Sequence, residues 1–263
     1  MTSNGNFVPV VLVHDVASER LANFFGNFKN YTTGEFVYKK DEPFVKPSNN
    51  REGIIKAVDS LGSDKELRDK KILTIYGDGE FHQYTYGLCK KIADKRSKKY
   101  TYVHIDAHDD YGSSMCCGAF VKAIEDETNC KNVRMIGPEY SYPSKKVKSL
   151  FGGILNDSEF YRRAINDPER IKPHLEKLIK ETEKEIYVSI DLDVLKEGIT
   201  TSWESSCGDL SLYGLLETIS LLKKEKNIIG ADILGYSNSC NLREEQHQQN
   251  LTTYSKIVDY FLK

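Results

Sequence analysis

Short apolar runs that alternate with longer charged stretches constrain the fold of this chain more than any other feature of its sequence. The apolar runs are rich in β-branched and aromatic residues, as in buried strands, and the stretches between them have the length and spacing of helices. Strands and helices that alternate in this way form βαβ units around a parallel sheet. We therefore predict a three-layer α/β/α fold with a central, mostly parallel β-sheet.

The element boundaries follow from periodicity and from capping and turn residues. The predicted strands cover residues 8–13, 72–76, 100–106, 133–136, 186–194 and 227–234. The predicted helices cover residues 17–28, 63–70, 81–95, 119–127, 211–224 and 250–262, with residues 157–184 forming one or two helices split by Pro168 and Pro173. Ser18 and Ser211 are the expected N-caps, and residues 30–50 are expected to be loop or edge structure. Because no shift in composition marks a boundary, we expect one domain over residues 1–263.

The composition argues against several classes of protein. With 37 Lys and Arg against 39 Asp and Glu, the formal net charge is -2, so no overall basic field predicts nucleic-acid binding. No apolar run reaches the roughly 20 residues that a membrane helix needs, and the first residues lack the basic and apolar segments of a signal peptide. We expect a cytoplasmic protein whose 6 scattered cysteines are free thiols.

Metal-ligand side chains follow two of the predicted strands. Asp106, His108 and Asp110 come at the end of one strand, and Asp191 and Asp193 come at the end of another. Side chains two apart on a strand point the same way, and ligands bind outside the carboxyl ends of parallel strands. Carboxylates gathered at that edge would repel one another unless cations joined them. The pattern therefore predicts a metal site at this edge of the sheet.

The chemical type of the ligands indicates which metal would bind. Carboxylates with one or two imidazoles and no thiolate are hard to borderline ligands, which suit Mn²⁺ and disfavour a structural zinc site. Two ions that share bridging carboxylates would lie about 3.5–4 Å apart and could activate a water molecule for hydrolysis. We therefore expect two Mn²⁺ ions per subunit and a hydrolytic reaction.

The two clusters resemble motifs of the arginase–agmatinase (ureohydrolase) family. Residues 106–110, DAHDD, are similar to its DAHxD motif, and residues 189–193, SIDLD, are similar to its SxDxD motif. The family's third motif, GGDHS, corresponds to residues 76–85, which share few of its letters but contain His82, followed at the right interval by Thr85. The resemblance implies an arginase-like fold.

Six side chains would hold the two manganese ions by this resemblance: His82, Asp106, His108, Asp110, Asp191 and Asp193. Asp106 and Asp191 would bridge the ions, with His82 and Asp110 completing one site and His108 and Asp193 the other. A metal-activated hydroxide would attack a guanidinium carbon. Asp110 would be the catalytic residue that takes its proton and delivers it to the leaving amine, so the products would be urea and an amine.

Two further segments, residues 117–120 and 230–233, resemble the family's SHGTPF and GADIVE, but each lacks a functional side chain. Cys117 stands where the family has an active-site histidine, and Gly235 stands where it has the glutamate that binds the guanidinium group. The loss of that glutamate removes charge-assisted hydrogen bonds to the substrate. The side chains that could contribute to substrate binding instead are Glu80, Cys117, Trp203, Glu204 and Asp209.

The loops after the two main motifs differ from those of arginases that act on the free amino acid. Residues 111–115 contain no charged residue, and residues 196–203 lack the family's DP-x-x-x-PG run. These features are similar to those of peptide arginases, a divergent group that converts arginine side chains of a precursor peptide to ornithine. We therefore hypothesise a manganese-dependent peptide arginase whose partner is an arginine-containing peptide.

Two other functions stay open. The chain could hydrolyse a guanidino small molecule such as agmatine, or it could be a metal-binding relative without turnover, because the family's glutamate and histidine are both replaced. We expect no nucleic-acid or membrane partner, and a homo-oligomer is compatible with the sequence.

Two other histidines lie close to this edge in sequence. His14 and Asp15 follow the first predicted strand, where we expect a satisfied structural pair although a substrate contact is the alternative. His104 lies two residues before Asp106 on the same strand face, and we expect a hydrogen-bonded core histidine there.

Overall fold

Eight parallel strands form one sheet at the centre of the part of the chain that the structure describes. In this computed structural model the described residues are 7–32, 48–112, 114–137, 147–150, 168–196, 208–236 and 242–263. The strands are Phe7–Val13 (β1), Lys29–Thr32 (β2), Lys71–Ile75 (β3), Tyr100–Ile105 (β4), Cys130–Ile136 (β5), Val147–Leu150 (β6), Glu185–Asp191 (β7) and Asn227–Leu234 (β8). Their order across the sheet is β2-β1-β3-β8-β7-β4-β5-β6, and every neighbouring pair is parallel. The predicted parallel sheet is therefore confirmed.

The helices connect successive strands. They are Val16–Phe24 (α1), Arg51–Ala57 (α2), Asp59–Ser63 (α3), Tyr84–Leu88 (α4), Asp94–Arg96 (α5), Val121–Glu127 (α6), Pro168–Lys180 (α7), Leu212–Glu225 (α8) and Glu244–Leu262 (α9). A π-helical segment, Cys89–Ala93, joins α4 to α5, and short 3₁₀ turns occur at Lys65–Leu67, Gly79–Phe81 and Leu192–Val194. Among the helices of the described ranges, none combines the length and apolar character needed to cross a membrane.

Alternate residues of the strands contribute to two apolar layers, one on each face of the sheet. On one face, Val103 and Val188 pack with side chains of α1, α7, α8 and α9. On the other face, their neighbours Tyr102 and Tyr187 pack with side chains of α2, α3, α4 and α6. Because side chains of a strand alternate between faces, helices cover both sides of the sheet, which confirms the predicted three-layer α/β/α architecture.

Several boundaries differ from the prediction because capping contacts decide where a helix begins. Asp15, not Ser18, is the N-cap of α1, and the Ser18 hydroxyl completes a capping box with the backbone N–H of Asp15. The last helix begins at Glu244, six residues earlier than predicted, because Arg243 and Gln246 form a capping arrangement there. Residues 65–67 form only a 3₁₀ turn within the predicted helix.

The charged segment before β7 is a helix that passes through one of its two prolines. Pro168 is the first residue of α7, and Pro173 lies inside it, so the predicted break at Pro173 is wrong. Pro168 suits a first helical position, where the missing N–H has no partner to lose. Residues 157–167 of the predicted segment lie outside the described residues.

The N-cap of α8 provides a test of these capping contacts. Ser211 is the N-cap, as predicted, and its hydroxyl accepts a hydrogen bond of 3.0 Å from the backbone N–H of Gly214. We predict that Ser211→Ala lowers the free energy of unfolding by about 1 kcal/mol, which lowers Tm by roughly 2–4 °C for a chain of this size.

Ser220→Ala is the matched control, because Ser220 is exposed on the same helix. Alanine is the better helix former there, so the control should keep or slightly raise Tm. Equal losses in the two variants, measured by thermal denaturation, would contradict the capping role.

Candidate metal centre

Three chain segments bring the candidate ligands to the carboxyl end of the sheet. His82 follows β3 and the 3₁₀ turn Gly79–Phe81, Asp106 follows β4 directly, and Asp191 is the last residue of β7. Because β3, β8, β7 and β4 are neighbours in the sheet, their carboxyl ends meet at one edge. This is the edge at which parallel α/β folds bind their ligands.

One group of ligand atoms surrounds His82. Its Nδ1 lies 3.0 Å from Asp106 Oδ2, 3.1 Å from Asp110 Oδ2 and 3.6 Å from Asp191 Oδ2. All four side chains are buried, with exposed fractions of 1% for His82 and Asp106 and 5% for Asp110 and Asp191. Three carboxylates and an imidazole excluded from water in this way could hold a cation, whose charge would compensate that of the carboxylates.

A second group lies next to the first and is more open to solvent. His108 Nδ1 lies 2.9 Å from Asp193 Oδ2 and 3.4 Å from Asp106 Oδ1, and the His108 side chain is 44% exposed. Asp106 thus belongs to both groups, with Oδ2 in the first and Oδ1 in the second. The structure therefore brings all six sequence-predicted ligands to one place, and their metal-binding role stays a prediction.

Backbone contacts hold the carboxylates in these positions. Asp191 caps the turn Leu192–Val194 by accepting a 3.0 Å hydrogen bond from the N–H of Asp193. Asp193 in turn accepts a 3.1 Å bond from the N–H of Ala107, which links the two motifs directly. The sequence interpretation placed Asp191 and Asp193 side by side by strand alternation, but β7 ends at Asp191 and the capped turn positions Asp193.

Asp110 has the least usual backbone of the site. Its φ of 47° makes it the only non-glycine residue with positive φ among the described residues. Its carbonyl accepts a 3.0 Å hydrogen bond from the N–H of Val121, which ties this conformation to the start of α6. Because a left-handed conformation costs energy for residues other than glycine, such positions are common at functional sites.

A buried hydrogen-bond chain orients His82. Its Nε2 lies 2.9 Å from the Ser189 hydroxyl, which donates a 2.6 Å bond to Asp232 Oδ1. Asp232 also accepts bonds from Tyr187 at 2.8 Å and Thr85 at 3.2 Å. Since Nε2 is engaged in this way, Nδ1 is the nitrogen that faces the carboxylates.

Sequence reasoning assigned no role to Ser189 or Asp232, although both lie in segments that resemble the family. A position of Ser189 near the site could have been predicted, because Ser189 is two residues before Asp191 and so points to the same side of β7.

The segment that carries His82 is anchored on the residues after β1. Asp15 Oδ2 accepts a 3.2 Å hydrogen bond from the N–H of Asp78, and Asp15 Oδ1 accepts a 2.7 Å bond from Ser18. His14 packs its ring 3.9 Å from the ring of Phe81, centroid to centroid. Asp15 is therefore satisfied as expected, whereas both ring nitrogens of the fully buried His14 lack hydrogen-bond partners among the described residues.

Shared burial raises the pKa values of three of the four aspartic acids of the site, Asp110, Asp191 and Asp193. Burial and the Asp106 carboxylate raise the pKa of Asp110 to about 8 and the pKa of Asp193 to about 6. Burial and the carboxylates of Asp193 and Asp106 raise the pKa of Asp191 well above its usual range. Neutralising such a cluster takes either protons or cations, and a divalent ion would displace the protons.

The same excess of negative charge raises the pKa values of the His108 and His82 imidazoles. Asp106 and Asp193 raise the pKa of His108 to about 12. Burial alone would lower the pKa of His82, but Asp106 and Asp110 raise it well above its ordinary value. Burial would raise the pKa of Asp106, yet the surrounding histidines hold it well below its usual range.

His104 differs from its expected role as a satisfied core histidine. Its Nδ1 lies 3.1 Å from the Tyr102 hydroxyl, as a core hydrogen bond would predict. Its Nε2, however, has no hydrogen-bond partner within the described ranges, and it lies 3.4 Å from Asp106 Oδ2 and 3.7 Å from Asp110 Oδ2. His104 thus belongs to the same group of potential metal-ligating side chains as His82.

The predicted substrate-binding residues have different positions relative to this site. Glu80 is half-buried in the turn before His82, and burial followed by the Asp15 carboxylate raises its pKa. Cys117 is half-buried within electrostatic range of Asp110, and burial and that carboxylate raise its thiol pKa to about 11, so it is a neutral thiol. Cys89, Cys116, Cys117 and Cys130 are free, as expected.

The structure gives less information on three further predicted substrate-binding residues. Trp203 and Glu204 lie outside the described residues. Asp209 is half-buried between Gly208 and Leu210, which form short bridges with the segment after β7.

Gly235 lies directly against the first ligand group. Its φ is +99°, and a Cβ built on it would lie 2.3 Å from Asp191 Oδ1. A side chain here would meet both backbone strain and a clash with a candidate ligand. The glutamate that the family resemblance places at this position therefore cannot be accommodated in this arrangement.

Comparison with known proteins gives a sequence relative and several structural neighbours. An uncharacterized protein of Thermotoga maritima is 29% identical over 187 residues, which is 70% of this chain and 67% of that protein. Formimidoylglutamase from Bacillus subtilis superposes with a TM-score of 0.65 at 14% identity, covering 97% of this chain and 87% of that one. Agmatine ureohydrolase of Thermoplasma volcanium gives a TM-score of 0.64 at 16% identity, covering 100% of this chain and 91% of that one.

The structural neighbours share the fold, and the sequence match identifies the family. The model of the Arginase family matches residues 15–250, a span that includes every candidate ligand described above. This chain therefore belongs to the arginase family.

Proposed function

We propose that this chain is a binuclear manganese ureohydrolase that converts arginine side chains of a peptide to ornithine and releases urea. The observation that carries the proposal is the position of Asp106 between two ligand groups. Its Oδ2 faces His82 and Asp110, and its Oδ1 faces His108. A carboxylate with one oxygen directed to each group is suited to bridging two cations.

The donor set supports manganese at these positions. Both groups consist of carboxylates and imidazoles, which are hard to borderline ligands. Neither group contains a cysteine of the described residues, so no soft ligand is among them. His82 Nδ1 is buried without a hydrogen-bond partner among the described residues, as expected for a nitrogen whose partner is an ion. When bound, two such ions would polarise the substrate and lower the pKa of a water molecule.

Proton transfer would be the task of Asp110. Hydrolysis adds the oxygen of water to the guanidinium carbon, breaks the bond from that carbon to the amine nitrogen and moves both protons of the water to that nitrogen. Asp110 has a left-handed backbone conformation, and its Oδ2 lies 3.1 Å from His82 Nδ1, which is 3.0 Å from Asp106 Oδ2. Its carboxylate can therefore accept a proton beside the proposed ions and pass it on. Water and a guanidinium group then become urea and an ammonium group, with atoms and charge balanced.

The substrate-binding residues favour a peptide over a small guanidino compound. Gly235 offers no carboxylate for the guanidinium group, and Cys117 replaces a charged or polar histidine. A small substrate would therefore lose much of its binding energy. A peptide can supply binding energy through residues remote from the reacting group, and such energy can be used to orient that group.

One observation favours a small guanidino compound as the second candidate. Glu80 is half-buried two residues before His82, and it is a described carboxylate outside the ligand groups that could replace the missing glutamate. The two candidates share the metal centre and differ only in the substrate.

The hydrogen bond behind His82 gives the first test of the metal centre. We predict that Ser189→Ala raises the Kd for Mn²⁺ by roughly 10–100-fold, because outer contacts of this kind orient a ligating imidazole. Thr74→Val is the control: Thr74 is fully buried in β3, and its hydroxyl has no hydrogen-bond partner in the described part of the chain. Calorimetric titration of the metal-free variants would measure this, and an unchanged Kd for Ser189→Ala would contradict the orientation of His82.

Removing the metal should make Tm depend on whether Asp110 and Asp193 are protonated. The folded pKa values of Asp110 and Asp193, about 8 and about 6, lie above the ordinary value of 3.8. Their protonated forms therefore stabilise the metal-free fold fully below pH about 4, and this stabilisation is lost as pH rises through those pKa values. We predict that Tm in EDTA falls between pH 5 and pH 8.5, by roughly 5 °C or more.

Manganese should replace these protons, so the loaded protein should have a higher Tm that varies less over the same range. The Asp110→Asn variant is the control, since the amide cannot titrate and its metal-free curve should be flatter. If scanning fluorimetry showed that Tm varies with pH in the same way with and without Mn²⁺, this would argue against a cation site formed by these carboxylates.

Turnover would test the proposed substrate. Incubation with Mn²⁺ and arginine-containing peptides should remove CN₂H₂ from arginine residues, detected by mass spectrometry, with an equal amount of urea. Asp191→Asn should abolish turnover and metal binding, whereas Glu185→Gln, the same change at the opposite end of β7, should keep both. Unchanged peptides together with urea from agmatine would overturn the peptide in favour of the small substrate, and silence on both with metals bound would favour a non-catalytic protein.

A further inference from the structure

His104 is a buried histidine that the predicted ligand set leaves out. It lies on β4, two residues before Asp106, and has no exposed surface. Its Nδ1 is engaged with the Tyr102 hydroxyl at 3.1 Å, but its Nε2 has no hydrogen-bond partner among the described residues. A buried polar atom without a partner is rare and calls for an explanation.

The missing partner would lie among the carboxylates of the first ligand group. His104 Nε2 is 3.4 Å from Asp106 Oδ2 and 3.7 Å from Asp110 Oδ2. The same two oxygens are 3.0 and 3.1 Å from His82 Nδ1. These four atoms all lie within 4.8 Å of one another. His82 Nδ1 and His104 Nε2 thus lie close to the same two carboxylate oxygens.

The separations match those of atoms around one ion. Ligands at about 2.1 Å from one metal ion lie about 3.0 Å apart at neighbouring octahedral positions and about 3.4 Å apart in a tetrahedron. The observed values of 3.0, 3.1, 3.4 and 3.7 Å span these separations.

We propose that His104 Nε2 is a ligand of the buried metal, which gives that position two imidazoles. This inference rests on the proposed metal centre and extends its ligand set. The ring would carry its proton on Nδ1 and donate it to the Tyr102 oxygen, since a phenol accepts as well as donates. Tyr102 would then orient His104 as Ser189 orients His82.

A second imidazole would make the two metal positions unequal. The buried position would have His82 and His104 with carboxylates, and the open position would have His108 with Asp106 and Asp193. Imidazole ligands favour iron, cobalt, nickel and zinc more strongly than carboxylates do. The buried position should therefore fill first when metal is added. Its preference for Mn²⁺ over iron, cobalt, nickel and zinc should be weaker than that of the open position.

The competing arrangement has a proton on Nε2. The backbone of His108 lies near the His104 ring, and an Nε2–H directed toward it would keep His104 from coordinating an ion. The two arrangements differ in whether Nε2 is bound to a metal, which magnetic resonance can detect directly.

The test is a spectrum of the histidine rings in the full chain, labelled with ¹⁵N and loaded with ¹¹³Cd²⁺ as an NMR-active divalent probe. The chain has 6 histidines. The proposal predicts one-bond coupling to ¹¹³Cd on three rings, including Nε2 of the ring whose protons are close to Tyr102. Because this is read in the wild-type protein, it does not depend on a variant that folds.

A variant pair adds an affinity measurement. His104→Gln should raise the Kd of the tighter Mn²⁺ ion at least about tenfold and remove one coupled ring. His247→Gln is the matched control, because His247 is also buried and its Nδ1 lies 2.7 Å from a tyrosine hydroxyl, that of Tyr236, outside the ligand groups. It should leave both readouts unchanged.

The outcomes separate this inference from the function on which it rests. Coupling on two rings only, with an unchanged Mn²⁺ affinity in His104→Gln, would overturn His104 as a ligand and leave the metal centre intact. No coupled ring and no bound metal would overturn the metal centre and His104 together.

Discussion

The site depends on the contacts that the Asp106 carboxylate makes with two histidines. Asp106 is 1% exposed and faces His82 with one oxygen and His108 with the other. Its position follows from the sheet, because β4 lies between β7 and β5 and the N–H of Asp106 donates a 3.1 Å bond to the carbonyl of Ile136. A charge buried this deeply is stable only with partners of opposite charge. The ligands around it can therefore be understood as the partners of one fixed carboxylate.

The parts of this arrangement that are local in sequence could be predicted. Apolar runs of strand length separated by helical stretches are sufficient to predict a parallel sheet with helices on both faces. The DAHDD and SIDLD motifs lie at strand ends, so topology alone brings Asp106 and Asp191 to the same edge. His82 could also be placed there despite its weak motif, because the end of β3 reaches the same edge. His82 is the only histidine of residues 76–85, the segment that follows this strand in the sequence.

Features that depend on tertiary contacts could not be predicted in the same way. Asp193 reaches the site because a capped turn follows Asp191, which strand alternation does not describe. Asp15 rather than Ser18 caps the first helix because its carboxylate also binds the loop of Asp78. His104 shares a strand face with Asp106, yet only the positions of the surrounding atoms show that its Nε2 lacks a partner. The clash at Gly235 likewise depends on how close Asp191 lies to the end of β8.

Diffraction from crystals of the full chain soaked in Mn²⁺, with data collected at the manganese absorption edge, tests the central claim most directly. We expect two anomalous peaks about 3.5–4 Å apart, with the Asp106 carboxylate between them, one oxygen to each. A single peak, or two peaks that do not share Asp106, would contradict the bridging role on which the proposed chemistry depends.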